Sequence, residues 1–330
     1  MPGDFFPEDS PESICDLKLP EHGRIFLNRK GKKMSEKIVL ALGGGGVKGI
    51  AHLGVVDCLL KHNYDITGIA GTSAGGMFGA TLAAKVPPRE ILEVVTEFMK
   101  SPSFRRSPSD SASLLGTAGI ENTLRKFIEG KIIETLPIKF CVTAVSLKTG
   151  KEVIIDEGDV MDAVLATIAI PGVFPTRGEE VLVDGGVLDP VPIESARALN
   201  PSVPVVAVTL HTKPEGFSPE EIGDSMSDQI PPIILDRLSR NRIAESLKNM
   251  NAGVELGSDR LTELNIEVSK PDVVVRPIVG HYSPLQIVEP TVLFEEGYRA
   301  MESQLSELED ALTFVKSVIR ITKYSTSKKG

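Results

Sequence analysis

The strongest constraint on the fold is an apolar run that leads into a glycine-rich turn and then into a segment with helical spacing. Residues 37–42 form a short aliphatic run, and four consecutive glycines follow at 43–46. Residues 47–62 then repeat apolar side chains at helical intervals. The pattern returns where the apolar run 66–70 meets a second glycine-rich turn and the small-residue segment 74–84. Strand, tight turn and helix in alternation predict an α/β fold, in which a mostly parallel sheet is covered by helices.

The rest of the chain divides into three parts by pattern. Residues 1–36 are charged and proline-rich without sustained periodicity, which predicts an N-terminal extension. We expect the core of the fold over 37–212, and a C-terminal helical part, 213–330, that completes the same domain. Within these parts we expect a hairpin (139–147 with 152–155), a helix capped by Asp159, short strands at 181–183 and 273–275, an irregular stretch at 213–270, and a helical region at 285–321.

Charge and cysteine content exclude several classes of protein. The net charge is −9, whereas a nucleic-acid-binding surface is usually basic, so no nucleic-acid partner is expected. Three widely spaced cysteines indicate neither a disulfide framework nor a zinc site. No secretory signal and no apolar run of about 18–20 residues is visible, so a cytoplasmic location is the default expectation. Basic clusters at 29–33 and 323–329 are either solvated segments or weak contacts to anionic lipid at a membrane surface.

The second glycine-rich turn has the sequence Gly-Thr-Ser-Ala-Gly, with Ser73 at its centre. It lies between an apolar run and a small-residue helix, which is the context of a nucleophile elbow. Gly71 and Gly75 fit the sharp turn, and the helix N-terminus that follows favours developing negative charge. Ser73 is therefore a candidate nucleophile, and the alternative is a helix-capping serine in a glycine-rich turn.

The first glycine-rich turn allows two interpretations. Backbone amides at Gly44, Gly45 and Gly46 could converge on one oxygen atom, as in an oxyanion hole, and the amide of Ala74 could join them. The same glycines with Gly49 also satisfy the dinucleotide-binding fingerprint. The next apolar run ends in the serine turn rather than in a ribose-binding acid, which disfavours nucleotide binding.

The third signal is Asp184, which follows a short apolar run and precedes Gly185 and Gly186. A carboxylate at a strand end followed by glycines can reach into a crevice, although such a residue is also common in turns. An ordinary hydrolase triad would place its histidine after the acid, where only His211 and His281 remain. A single convincing strand precedes that of Ser73, so the usual triad layout fits poorly.

These blocks together resemble the patatin-like phospholipase family. The resemblance covers the three ordered glycine-containing motifs and extends to 169–175, 189–192 and 272–277. It implies a three-layer α/β sandwich and a Ser73–Asp184 dyad without a catalytic histidine. It implies an oxyanion hole at Gly44, Gly45 and Gly46, with Lys48 supporting the loop. Gly43 stands where plant patatins carry Asp, whereas bacterial members often have Gly.

The function implied is a serine acyl hydrolase of the phospholipase A or lysophospholipase type. In two-step acyl transfer Asp184 accepts the proton of Ser73, and neither a metal nor an organic cofactor is needed. The alternatives are a soluble carboxylesterase or thioesterase with the same site, and a Rossmann-like nucleotide-binding protein. Two segments, 101–119 and 233–250, are candidate lids or lipid-contacting elements, and otherwise an ordinary loop and an ordinary amphipathic helix. The sequence sets no oligomeric state.

Overall fold

Aliphatic runs whose side chains alternate between two faces form the strands of a seven-stranded sheet. The computed structural model describes residues 35–107, 110–111, 113–211, 242–284 and 286–313. The strands are β1 (Glu36–Leu42), β2 (Tyr64–Thr72), β3 (Lys139–Ser146), β4 (Lys151–Ile155), β5 (Leu182–Asp184), β6 (Val205–Val208) and β7 (Val273–Val275). The helices are α1 (Ala51–Lys61), α2 (Ala74–Ala83), α3 (Pro88–Lys100), α4 (Ala118–Ile128), α5 (Val160–Thr167), α6 (Ile193–Leu199), α7 (Arg242–Ser269), α8 (Pro290–Glu302) and α9 (Leu305–Ala311).

The sheet is mostly parallel and is covered on both faces. Its strand order is β4-β3-β2-β1-β6-β7, with β5 paired to β3. β1 with β6, β6 with β7, and β2 with β3 are parallel pairs, whereas β3 and β4 form an antiparallel hairpin. Ile38, Leu40 and Leu42 of β1 belong to one buried cluster, and Val39 and Ala41 belong to another. Because alternate residues of a strand point to opposite faces, both faces are buried, which confirms the predicted α/β fold.

Helix α1 lies against α8 at a distance that requires glycine on both sides. A Cβ atom on Gly54 would lie 1.9 Å from the carbonyl oxygen of Phe294, and one on Gly297 would lie 1.9 Å from that of Ala51. The two backbones are therefore in direct contact. This fixes α1, and with it the glycine-rich turn that precedes α1.

Strand β5 occupies the edge of β3 that β2 leaves free. Thr72, the last residue of β2, is opposite Thr143 of β3. Asp184, the last residue of β5, is opposite Ala144, the next position along β3. The other edge of β3 at these positions pairs with β4, so β5 continues the line of β2 in the antiparallel sense. The ends of two strands that are distant in the chain therefore meet end to end along one edge of β3.

Most expected elements are confirmed. The hairpin is present, and the Asp159 side chain caps α5 by accepting from the Asp162 amide at 3.0 Å. The stretch expected to be irregular contains α7, a long helix, while residues 212–241 lie outside the described part. The lid candidate 233–250 falls partly on those residues. Within the described residues, no helix is long and apolar enough to cross a membrane. The boundaries proposed at 36 and 212 remain predictions.

Candidate active site

Ser73 lies in a sharp turn between β2 and α2, as the elbow motif predicts. Its backbone angles are φ 54° and ψ −122°, a conformation that residues other than glycine rarely adopt. The flanking glycines make the turn possible. A Cβ atom on Gly71 would lie 2.5 Å from the backbone of Gly75, and one on Gly75 would lie 2.0 Å from the carbonyl oxygen of Leu42. Any side chain at either position would force the turn apart.

The structure brings Asp184 to Ser73. The Ser73 hydroxyl lies close enough to the Asp184 carboxylate to lower its pKa, and each residue is only 6% exposed. The Gly186 amide donates to the same carboxylate at 2.8 Å. A Cβ atom on Gly185 would lie 2.1 Å from the Thr143 hydroxyl, so the turn after Asp184 can pass over β3 only with glycine there. The two sequence-predicted residues are thus held in direct contact.

Burial makes the Asp184 carboxylate a stronger base than an exposed aspartate. Desolvation raises the pKa of Asp184 from 3.8 to about 6, against the opposing effects of the hydrogen bonds from Ser73 and from the Gly186 amide. A carboxylate with this pKa is ionised at neutral pH but holds a proton much more readily than an ordinary one. The arrangement suits a group that takes up a proton and returns it.

The glycine-rich turn after β1 is anchored by its first two residues. The Gly43 amide donates to the Val208 carbonyl oxygen and the Gly44 amide to that of Pro190, each at 2.9 Å. The Gly44 amide therefore already has a partner. Gly45 and Gly46 have φ values of 153° and 59°, where a side chain would be strained. The predicted role of Gly44 as an oxyanion donor thus does not fit its hydrogen bond, whereas Gly46 and Ala74 border the same cavity as Ser73.

The buried side chains of Lys48 and His52 lie next to this turn. The buried Lys48 ammonium lies 3.3 Å from the Glu255 carboxylate of α7, which agrees with a supporting role for Lys48. His52, which the sequence did not single out, is fully buried and its Nε2 lies 2.8 Å from the Gly43 carbonyl oxygen. Burial lowers the pKa of His52 to about 4, so the ring is neutral and Nε2–H donates. Gly49 allows the close approach to the elbow, because its Cβ atom would lie 2.6 Å from that of Ala74.

An apolar cavity of about 160 Å³ opens at Ser73. Helices α2, α3 and α4 each contribute to its wall, and Phe104 and Leu115 of the segment before α4 close part of it. Phe104 also packs edge-on against Phe98, with ring centroids 5.9 Å apart. Carbon side chains dominate the lining, so the cavity suits a hydrocarbon chain rather than a polar ligand.

The histidines considered for an ordinary triad have other partners. His211 is paired through its Nδ1 with the Asp259 carboxylate of α7, and His281 stacks against Tyr282. The titratable group whose pKa the Ser73 hydroxyl lowers is Asp184. The basic clusters at 29–33 and 323–329 lie outside the described residues.

Parts of this chain are similar to known proteins. Residues 40–197 match the family model for patatin-like phospholipase. An uncharacterized NTE family protein of Mycobacterium bovis is 36% identical over 190 residues, which is 55% of this chain and 51% of the relative. Lysophospholipase NTE1 of Meyerozyma guilliermondii is 25% identical over 303 residues, which is 85% of this chain and 21% of the relative. Among solved structures, VipD from Legionella pneumophila matches with a TM-score of 0.41 and 14% identity, over 87% of this chain and 70% of that chain.

The chain spans about half the length, or less, of these curated relatives. The family match covers both glycine-rich turns and the Asp184 motif, and it displaces the nucleotide-binding interpretation of the first turn. Residues 40–197 are therefore a patatin-like phospholipase domain.

Proposed function

We propose that this protein is a serine hydrolase that cleaves the carboxylic esters of lipids. The observation that carries the proposal is the proximity of the buried Ser73 hydroxyl to the buried Asp184 carboxylate, at the opening of an apolar cavity. A nucleophile, a base and a site for an acyl chain are thereby adjacent. The lysophospholipase name of one relative supports lipid esters as the substrate class.

The first step forms an acyl-enzyme. Asp184 accepts the proton of the Ser73 hydroxyl while the Ser73 oxygen attacks the ester carbonyl carbon. The tetrahedral intermediate collapses when Asp184 returns that proton to the departing alcohol oxygen. The raised pKa of Asp184 favours both transfers, because its proton affinity is closer to that of the reacting groups than an ordinary carboxylate allows.

Three backbone amides are proposed to hold the developing oxyanion: those of Gly45, Gly46 and Ala74. The amide of Ala74 is the first of α2, and the first amides of a helix have no acceptor within the helix. The helix dipole adds a favourable potential at the same point. Removing one such donor typically costs about 100- to 1,000-fold in kcat. Gly44 is proposed to hold the turn in place through Pro190 rather than to touch the substrate.

The second step releases the acid. Water attacks the acyl-Ser73 carbonyl carbon with Asp184 again accepting a proton, and Ser73 recovers its hydrogen when the intermediate collapses. The acyl chain is proposed to lie in the apolar cavity throughout, with the segment that carries Phe104 and Leu115 acting as its lid. The headgroup would then face solvent at the Ser73 end.

The test compares wild-type protein with Ser73→Ala and Asp184→Asn. We expect both variants to lose hydrolysis of p-nitrophenyl esters by at least about 1,000-fold, since members of a catalytic unit fail together. Ser73→Ala should also lose labelling by a fluorophosphonate probe. Activity of Asp184→Asn within tenfold of wild type would refute the dyad. A large loss in His211→Ala together with a mild effect of Asp184→Asn would instead indicate a histidine-dependent triad.

The substrate class needs a separate comparison. Wild-type protein is assayed on a soluble short-chain ester and on lysophospholipid and diacylphospholipid dispersions. A higher kcat/KM for lipid substrates is expected from the apolar cavity. Turnover of soluble short-chain esters alone would assign a carboxylesterase with the same site.

A further inference from the structure

The conformation of Ser73 needs a partner that holds it. A non-glycine residue at φ 54° and ψ −122° costs roughly 1–3 kcal/mol relative to an ordinary conformation. Gly71 and Gly75 leave space for this turn, but space alone does not select it. A specific contact to the Ser73 backbone would do so.

Such a contact comes from the last residue of α5. The Ser73 amide donates to the Thr167 hydroxyl oxygen at 2.9 Å, and Thr167 is fully buried. The methyl group of the same side chain faces α2, where a Cβ atom on Gly76 would lie 2.7 Å from it. Both branches of Thr167 therefore meet the elbow or the first turn of α2, which restricts the rotation of the side chain about χ1.

Ala169, two residues after Thr167, contacts the backbone of Asp184. The Asp184 amide donates to the Ala169 carbonyl oxygen at 3.0 Å. Thr167 and Ala169 thus bind the backbone of Ser73 and of Asp184, respectively, from one short segment. This segment links the two residues independently of strand β3.

We propose that Thr167 is a positioning residue, which acts through the Ser73 amide to hold the Ser73 hydroxyl against the Asp184 carboxylate. The inference rests on the proposed roles of Ser73 and Asp184. Its consequence is specific: loss of the Thr167 hydroxyl misplaces the nucleophile and leaves the acyl cavity unchanged. The effect falls on kcat rather than on KM.

The experiment uses Thr167→Val, which keeps the shape and removes the hydroxyl, and Thr81→Val as a matched control. Thr81 is also buried, and its hydroxyl donates to the Phe78 carbonyl oxygen at 2.7 Å within α2, away from the dyad. We expect Thr167→Val to lower kcat by about 10- to 100-fold with KM within about threefold, the scale of a small misplacement of reacting atoms. Thr81→Val should keep its kcat.

A second pair of variants covers the case in which Thr167→Val does not fold. Thr167→Ser and Thr167→Ala both lack the methyl group and differ only in the hydroxyl. Retention of kcat in Thr167→Ser with loss in Thr167→Ala supports the proposal. Equal kcat in the two variants overturns it.

One readout is independent of turnover. In a crystal structure of Thr167→Val, we expect Ser73 to leave its positive φ or its hydroxyl to leave Asp184. An unchanged Ser73 conformation with the hydrogen bond intact would overturn the inference even if wild-type protein hydrolysed no ester. Failure of the proposed function would give a different result, because wild-type and Ser73→Ala proteins would then have the same activity.

Discussion

The burial of Asp184 predicts that the proposed base destabilises the fold. A rise in the pKa of Asp184 from 3.8 to about 6 corresponds to roughly 3 kcal/mol of unfavourable free energy for the ionised form in the folded protein. The folded state binds this proton more tightly than the unfolded state does. Asp184 therefore destabilises the folded state little below pH 3.8. The destabilisation grows as the pH rises to about 6, and it is constant above that.

Replacement by asparagine should remove this cost. Asp184→Asn keeps an oxygen that can accept from the Gly186 amide, and an amide nitrogen that can donate to the Ser73 oxygen. We expect the variant to be more stable than wild type at pH 7.5. Its advantage should be about 2 kcal/mol larger at pH 7.5 than at pH 4.5, from the two pKa values. The same variant should be inactive.

The measurement is the free energy of unfolding in urea for both proteins at the two pH values. Asp189, whose pKa is raised to about 7 by burial and by the neighbouring Glu152, titrates in both proteins, so its contribution cancels. The contribution of His52 cancels for the same reason. An advantage that stays constant with pH, or that grows toward low pH, would show that Asp184 is not held by desolvation.

Four further outcomes follow from the same contacts. With Asp184 as base, wild-type kcat/KM on a neutral ester should fall about tenfold per pH unit below pH 6 and level off above it, whereas a fall beginning only near pH 4 would contradict the raised pKa. Gly75→Ala should cost about 1–3 kcal/mol or more of unfolding free energy, because its Cβ atom meets the backbone of β1; Gly257→Ala, in an open helical position of α7, should gain about 0.5–1 kcal/mol, and equal melting temperatures would refute the packing. His52→Leu should cost about 1–3 kcal/mol by leaving a buried carbonyl oxygen unpaired, which urea unfolding would detect or exclude. Val95→Phe should lower kcat/KM for long-chain more than for short-chain p-nitrophenyl esters, and an equal loss on both would argue against the cavity as the acyl site.

Patterns of adjacent residues were sufficient to predict the two turns in which Ser73 and Asp184 lie. The elbow needs two small residues around one serine and a strand before it, and all of these are adjacent in the chain. The Asp184 turn is equally local. The proximity of Ser73 to Asp184 was inferred from the family resemblance. It depends on the pairing of β5 with β3, which are distant in the chain, and the sequence of a three-residue strand is too short to predict that pairing.

The supporting residues were missed for a related reason. Thr167 reads as one more small residue near the end of a helix, and His52 as one polar residue in an apolar helix. Their roles depend on where α5 and α1 lie relative to the two glycine-rich turns, which only packing defines. The stretch expected to be irregular before Lys270 contains α7, whose polar side chains contact the site loops rather than forming a clear apolar face.

The way β5 extends the line of β2 has a consequence for how the chain can be cut and rejoined. Thr72, which precedes Ser73, and Asp184 pair with neighbouring residues of β3. The separation of the two proposed catalytic residues is therefore fixed by hydrogen bonds within the sheet and not by the long connection between them. A protein nicked or circularly permuted at the exposed β3–β4 turn would keep that ladder. Its proposed catalytic site should therefore survive either change.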